Sequence, residues 1–107
     1  MENKTKAETF IGFAIRAKKY RIGMNAVQTL KSINLLIVCH TASENSIKQA
    51  KKVARKYNCP LLITKEKTLE QLTYKQNAKI MAVSDKALSK AIIENSEKDF
   101  ISTDLGE

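Results

Sequence analysis

Residues 14–27 bring together the side chains best suited to chemistry. Arg16, Lys18, Lys19 and Arg21 crowd the end of one predicted helix and the short extended connection after it. Gly23 then opens a second predicted helix, with Met24 and Asn25 in its first turn. Positive charge, backbone N–H groups at a helix start and an amide that both donates and accepts hydrogen bonds suit phosphates and base edges. Small residues at Gly23 and Ala26 allow close approach. This is recognition chemistry, with no bond made or broken.

The ingredients of catalysis do not converge. Gly12, Gly23 and Gly106 are isolated, so no glycine-rich phosphate loop is present. His40 is the single histidine, and its neighbour Cys39 points to the opposite side of a strand, which argues against a zinc site or a Cys/His pair. Ser84-Asp85 reads as a strand end and a helix cap. The expectation is a protein without enzymatic activity, cofactor or metal.

Charge points the same way. The 107 residues carry a net charge of +8, with a pI near 9.6 and 43% apolar residues. That balance favours a folded domain with a polyanionic partner: RNA, DNA or an anionic membrane surface. Residues 1–56 hold 12 of the 19 Lys and Arg but only 3 of the 11 Asp and Glu, so one half carries nearly all the attraction. The N-terminus is polar, and no apolar run approaches the roughly 20 residues of a membrane span. A cytoplasmic protein with no membrane partner is expected. Cys39 and Cys59, each beside a predicted buried strand, are expected as buried free thiols.

The elements that must position these residues alternate. Residues 6–18 read as a helix with Phe10, Ile11, Ala14, Ile15 and Ala17 on its apolar face, and residues 20–22 as a very short strand. Residues 24–32 read as a helix, and Leu35–Cys39 is a continuous apolar run typical of a strand covered on both faces. Thr41 and Glu44 stand at capping-box spacing before a helix over 43–57. The outer face of that helix, with Lys48, Lys51, Lys52, Arg55 and Lys56, reads as solvated. Residues 61–64 form a second buried strand, Thr68 and Gln71 cap a short helix, residues 79–83 form a third strand, and Asp85 caps a last helix. The alternation implies an α/β fold, a three-layer α/β/α sandwich around a small mixed four-stranded sheet. Residues 1–95 form the single domain, and 96–107 read as a frayed, polar, acidic tail.

Several segments resemble a known family. They are Phe10–Lys19, the helix start Gly23-Met24-Asn25-Ala26-Val27, residues 42–46 after the first long strand, and Met81–Lys86. In that order they resemble the bacterial YlxQ-type proteins of the kink-turn RNA-binding ribosomal-protein superfamily (the L-seven-Ae class), over about residues 8–94. The resemblance implies RNA contact through the start of the second helix and through the loop after the last strand. Against the family motif G-x-N-E-x-x-K, Gly23 and Asn25 match, Ala26 stands in place of Glu and Thr29 in place of Lys. Lys31 lies two positions further and points elsewhere on the helix. Glu70 and Tyr74 stand where the family has glycines around the short helix.

The implied RNA-binding set is Lys18, Lys19, Arg21, Gly23, Met24, Asn25 and Lys31, with Val83, Ser84 and Lys86 in the second loop. Cations offset the repulsion of two backbones brought together at a kink, and Asn25 reads exposed purine edges. The expected partner is structured RNA, ribosomal RNA above all, with ribosomal proteins as a second class; a monomer is expected. The alternative is a protein–protein interaction module or ribosome accessory factor on the same fold, without kink-turn specificity.

Overall fold

The computed structural model describes residues 4–103. Ten elements follow in chain order: α1 (Lys6–Arg16), β1 (Tyr20–Ile22), α2 (Met24–Val27), β2 (Leu35–Val38), α3 (Glu44–Tyr57), β3 (Leu61–Thr64), α4 (Leu69–Thr73), β4 (Ile80–Val83), α5 (Lys86–Glu94) and β5 (Phe100–Thr103). The strands make one mixed sheet in the order β1-β4-β2-β3-β5. Strands β2 and β3 run parallel; the β1–β4, β2–β4 and β3–β5 pairs are antiparallel.

The apolar runs of β2 and β4 are buried at every position, because side chains alternate between two covered faces. One face sends Leu35, Ile37, Leu62, Met81 and Val83 into a cluster with Ala7, Ile11 and Ala14 of α1, Leu69 and Leu72 of α4 and Ile92 of α5. The other sends Leu36, Val38, Leu61, Ile80 and Ala82 into a cluster with Val27 of α2 and Ala50, Val53 and Ala54 of α3. Helices therefore cover both faces of the sheet. Cys39 and Cys59 are buried free thiols. Among the described residues no helix is long and apolar enough to cross a membrane.

Four expectations are corrected. The sheet has five strands, not four. The fifth comes from the segment read as a frayed tail: Phe100, only 2% exposed, enters the first cluster, and β5 pairs with β3 from Thr64↔Phe100 to Leu61↔Thr103. The Thr5 hydroxyl also donates to the Asp99 carboxylate, fixing the start of α1 to this segment. Residues 104–107 of the expected tail lie outside the described residues.

Helix α2 ends at Val27 rather than at residue 32. Thr29 N–H and Leu30 N–H donate three residues back, to Ala26 and Val27, and the Thr29 hydroxyl also takes the Ala26 carbonyl at 2.6 Å. The tightened turn stops the helix. Helix α3 is capped by Ser43, whose hydroxyl accepts from Ser46 N–H, and not by Thr41. Thr41 instead meets the Cys39 sulfur at 3.0 Å and accepts from the Lys79 ammonium at 3.0 Å. At α4 the expected capping box forms in full between Thr68 and Gln71, and Asp85 caps α5 through Leu88 N–H.

Candidate nucleic-acid interface

The edge strand β1 is the floor of the basic region. Helix α1 closes with Lys18 in the left-handed region at φ 58°, which turns the chain into β1. Tyr20 and Ile22 pack onto the first cluster, so the period of two turns Arg21 outward. Its guanidinium donates to the Tyr20 carbonyl at 2.8 Å. Gly23 follows at φ 97°, a conformation that L side chains rarely adopt, and starts α2.

A groove of about 570 Å³ runs along this edge. It is lined by Lys18, Tyr20, Arg21, Ile22 and Ala26, and on the far side by Lys75 and Gln76. Three cations, one amide and an apolar floor face a common space with no carboxylate in its lining. Asn25 stands next to Ala26 on the exposed surface of α2, and among the described residues its side chain has no hydrogen-bond partner.

Lys75 and Gln76 were not expected at this site. They belong to the connection between α4 and β4, which the chain's local chemistry fixes. Tyr74 and Asn77 both adopt left-handed backbone, at φ 60° and φ 61°. Tyr74 is the C-cap of α4, a place that usually favours glycine. The Glu70 carboxylate accepts Asn77 N–H, and the Thr73 hydroxyl accepts Lys75 N–H at 3.2 Å. Glu70 and Tyr74 thus shape the loop that presents Lys75 and Gln76. The available signal was the polar run Tyr74–Lys79 between two apolar elements, a loop by composition.

The second loop of the expected site falls elsewhere. Gly23 N–H donates to the Ile80 carbonyl at 3.0 Å, at the start of β4, whereas Ser84 N–H donates to the Lys19 carbonyl at 3.0 Å, past its end. The antiparallel register therefore sets Ser84 and Lys86 at the opposite end of β4 from Gly23 and Asn25. Lys19 stands exposed near Ser84, and it does not line the groove. Val83 is fully buried between Tyr20 and Leu35 on its neighbouring strands, so it is a core residue and offers no contact surface. Three further expectations change. The Gly23 N–H is already used by Ile80, so it is not open to a ligand. Met24 is half-buried against the second cluster, and Lys31 is exposed in the connection after α2 rather than on the helix.

His40 and Cys39 make local structure. Thr64 Oγ1 accepts His40 N–H at 2.8 Å and lies 2.7 Å from His40 Nδ1. Burial pushes the Cys39 thiol up, but hydrogen bonds from Thr41, from Leu69 N–H and from Thr64 outweigh it and hold the thiol below its ordinary value. These bonds fasten the end of β2 to the start of α4. Among the described residues no group of three or more His, Cys, Asp or Glu side chains converges on a metal-sized space.

No family model matches the chain, and no curated protein is similar to it in sequence. A solved structure of a protein of unknown function from Bacillus halodurans is similar, with a TM-score of 0.75 and 20% identity over 89% of this chain and 100% of that one. At that identity the likeness is one of fold.

Proposed function

We propose that this chain is a non-enzymatic RNA-binding protein of the kink-turn ribosomal-protein superfamily, built as a three-layer α/β/α sandwich, that recognises structured RNA. The observation that carries this reading is the groove at the β1 edge. Lys18, Arg21 and Lys75 converge there with no lining carboxylate, over the apolar floor of Tyr20 and Ile22. Two backbones approach closely in a sharply bent RNA, and converging cations offset their repulsion. A groove of this size takes an unstacked base, for which Tyr20 supplies a ring face and Gln76 a donor and an acceptor. Asn25, beside the groove with its amide unpaired among the described residues, reads a base edge. Ribosomal RNA is the partner class that this reading favours, in the cytoplasm and with the protein as a monomer.

The testing experiment is a titration of Asn25→Ala on a kinked RNA and on a plain duplex. The substitution costs about 1–3 kcal/mol on the kinked RNA and less on the duplex. An equal loss on both would mean that Asn25 does not read the kink.

One observation favours a second reading, a protein–protein module on the same fold. The Thr29 hydroxyl is bonded to the Ala26 carbonyl, so the place where the resemblance calls for a cation presents neither charge nor a free donor. Protein partners recovered after ribonuclease treatment would support that reading.

A further inference from the structure

Helix α3 has a face that the core does not use. Lys48, Lys51, Lys52, Arg55 and Lys56 fall within an arc of about 140°, opposite the buried Ala50, Val53 and Ala54, and span about 12 Å along the axis. Lys48, Lys52, Arg55 and Lys56 are exposed. The helix contains one carboxylate, Glu44, in its first turn, and among the described residues none of the five cations is in an ion pair. A solvated helix face ordinarily mixes both signs; this one does not.

The face lies on the same side of the sheet as α2, the helix that starts from the β1 edge. Val38, at the end of β2, pairs with Ile80, and Gly23 N–H donates to the same Ile80. Helices α2 and α3 therefore start at one end of the sheet, and both pack on the second cluster. At the other end of α3 the Tyr57 hydroxyl donates to the Leu30 carbonyl at 2.7 Å, which ties the helix to the connection that carries the exposed Lys31.

We infer that the basic face of α3 is a second RNA-contact surface, which takes the phosphate backbone of a duplex arm leaving the groove at the β1 edge. The inference rests on the RNA-binding reading above. The contact is to backbone alone: ammonium and guanidinium groups on a straight helix meet phosphates without reading bases. The site at β1 selects the kink, and α3 extends the footprint along the stem.

The test uses the full chain, the quadruple variant K48Q/K52Q/R55Q/K56Q and the milder K52Q/R55Q, since glutamine keeps helix propensity close to that of lysine and arginine. The probes are fluorescent kink-turn hairpins with one arm short or extended, and a plain duplex, titrated at about 50 and about 200 mM salt. If the substitutions leave two phosphates without a cation, the wild-type advantage over the variant on the long-armed RNA shrinks about tenfold between those salt concentrations. On the short-armed RNA the variants match the wild type. If wild-type protein prefers the kink and both variants bind the long arm unchanged at either salt, the α3 surface is refuted while the kink reading stands, and the face is left to an acidic protein. If wild-type protein shows no preference for the kink but the variants lose duplex binding, α3 is an RNA surface and the kink reading is refuted. Absence of any RNA binding by the wild type refutes both.

Discussion

Neutralising Lys75 weakens binding to a kinked RNA, whereas neutralising Lys86 leaves it unchanged. Lys75 lines the groove with Lys18 and Arg21. Lys86 begins α5, two residues past Ser84. Gly23 meets β4 at Ile80 while Ser84 lies four residues on, a gap of about 13 Å at the rise of a strand. That exceeds the Debye length of about 8 Å at physiological salt, so an exposed charge at residue 86 is largely screened from a phosphate held at the Gly23 end of the groove, where the loop bearing Lys75 leads into β4 at Ile80; the Lys18–Tyr20 end of the groove lies nearer Ser84. A single phosphate contact at about 0.15 M salt releases counterions worth about 1 kcal/mol. Lys75→Gln therefore raises Kd about fivefold and lowers the slope of log K against log salt by about one. Lys86→Gln changes Kd by less than about twofold, since at most long-range attraction is lost. Both residues are exposed and neither is in an ion pair among the described residues, so the fold survives either change. Fluorescence anisotropy with one RNA across a salt series reads both quantities. Equal losses for the two variants, or a loss for Lys86→Gln alone, would refute the placement of the site at the start of β4.

Other outcomes concern the frame that holds this site. Phe100→Ala lowers stability by about 3–5 kcal/mol in urea unfolding, because a ring 2% exposed leaves a cavity under the sheet; a change below about 0.5 kcal/mol would restore the frayed tail. Gly23→Ala costs about 1–3 kcal/mol from backbone strain alone, since a Cβ there meets nothing within 4 Å but φ is 97°. Burial pushes the Cys59 thiol up to about 11 from an ordinary 9.0. The folded state then keeps a proton that the unfolded chain releases, so this contribution is complete below pH 9 and fades as pH rises through about 11. Its loss reaches about 2–3 kcal/mol. Denaturant titrations of the wild type and Cys59→Ala converge over that range, and parallel pH profiles would contradict the burial of the thiol as the cause.

Much of the frame was legible because its signals are local. Strands β2 and β3 follow from unbroken apolar runs, and the caps of α4 and α5 from Thr68, Gln71 and Asp85 at fixed spacing. Strand β5 was hidden because it pairs on one side, with β3, and because its buried anchor, Phe100, follows a polar, acidic stretch. The early stop of α2 was hidden because it depends on the hydroxyls of Thr29 and Tyr57 reaching backbone carbonyls, the second from 27 residues away. The basic side of the site, Lys18 and Arg21, was visible in the sequence. Its far wall was not: Lys75 and Gln76 lie more than fifty residues downstream, and only the antiparallel β1–β4 register brings their loop to Gly23.

The most direct measurement is a titration of a fluorescent kink-turn RNA against a matched plain duplex at two salt concentrations. The expected result is tighter binding to the kinked RNA, weakened steeply by salt as counterion release requires. Equal, weak binding to both RNAs, or an affinity that does not respond to salt, would contradict it.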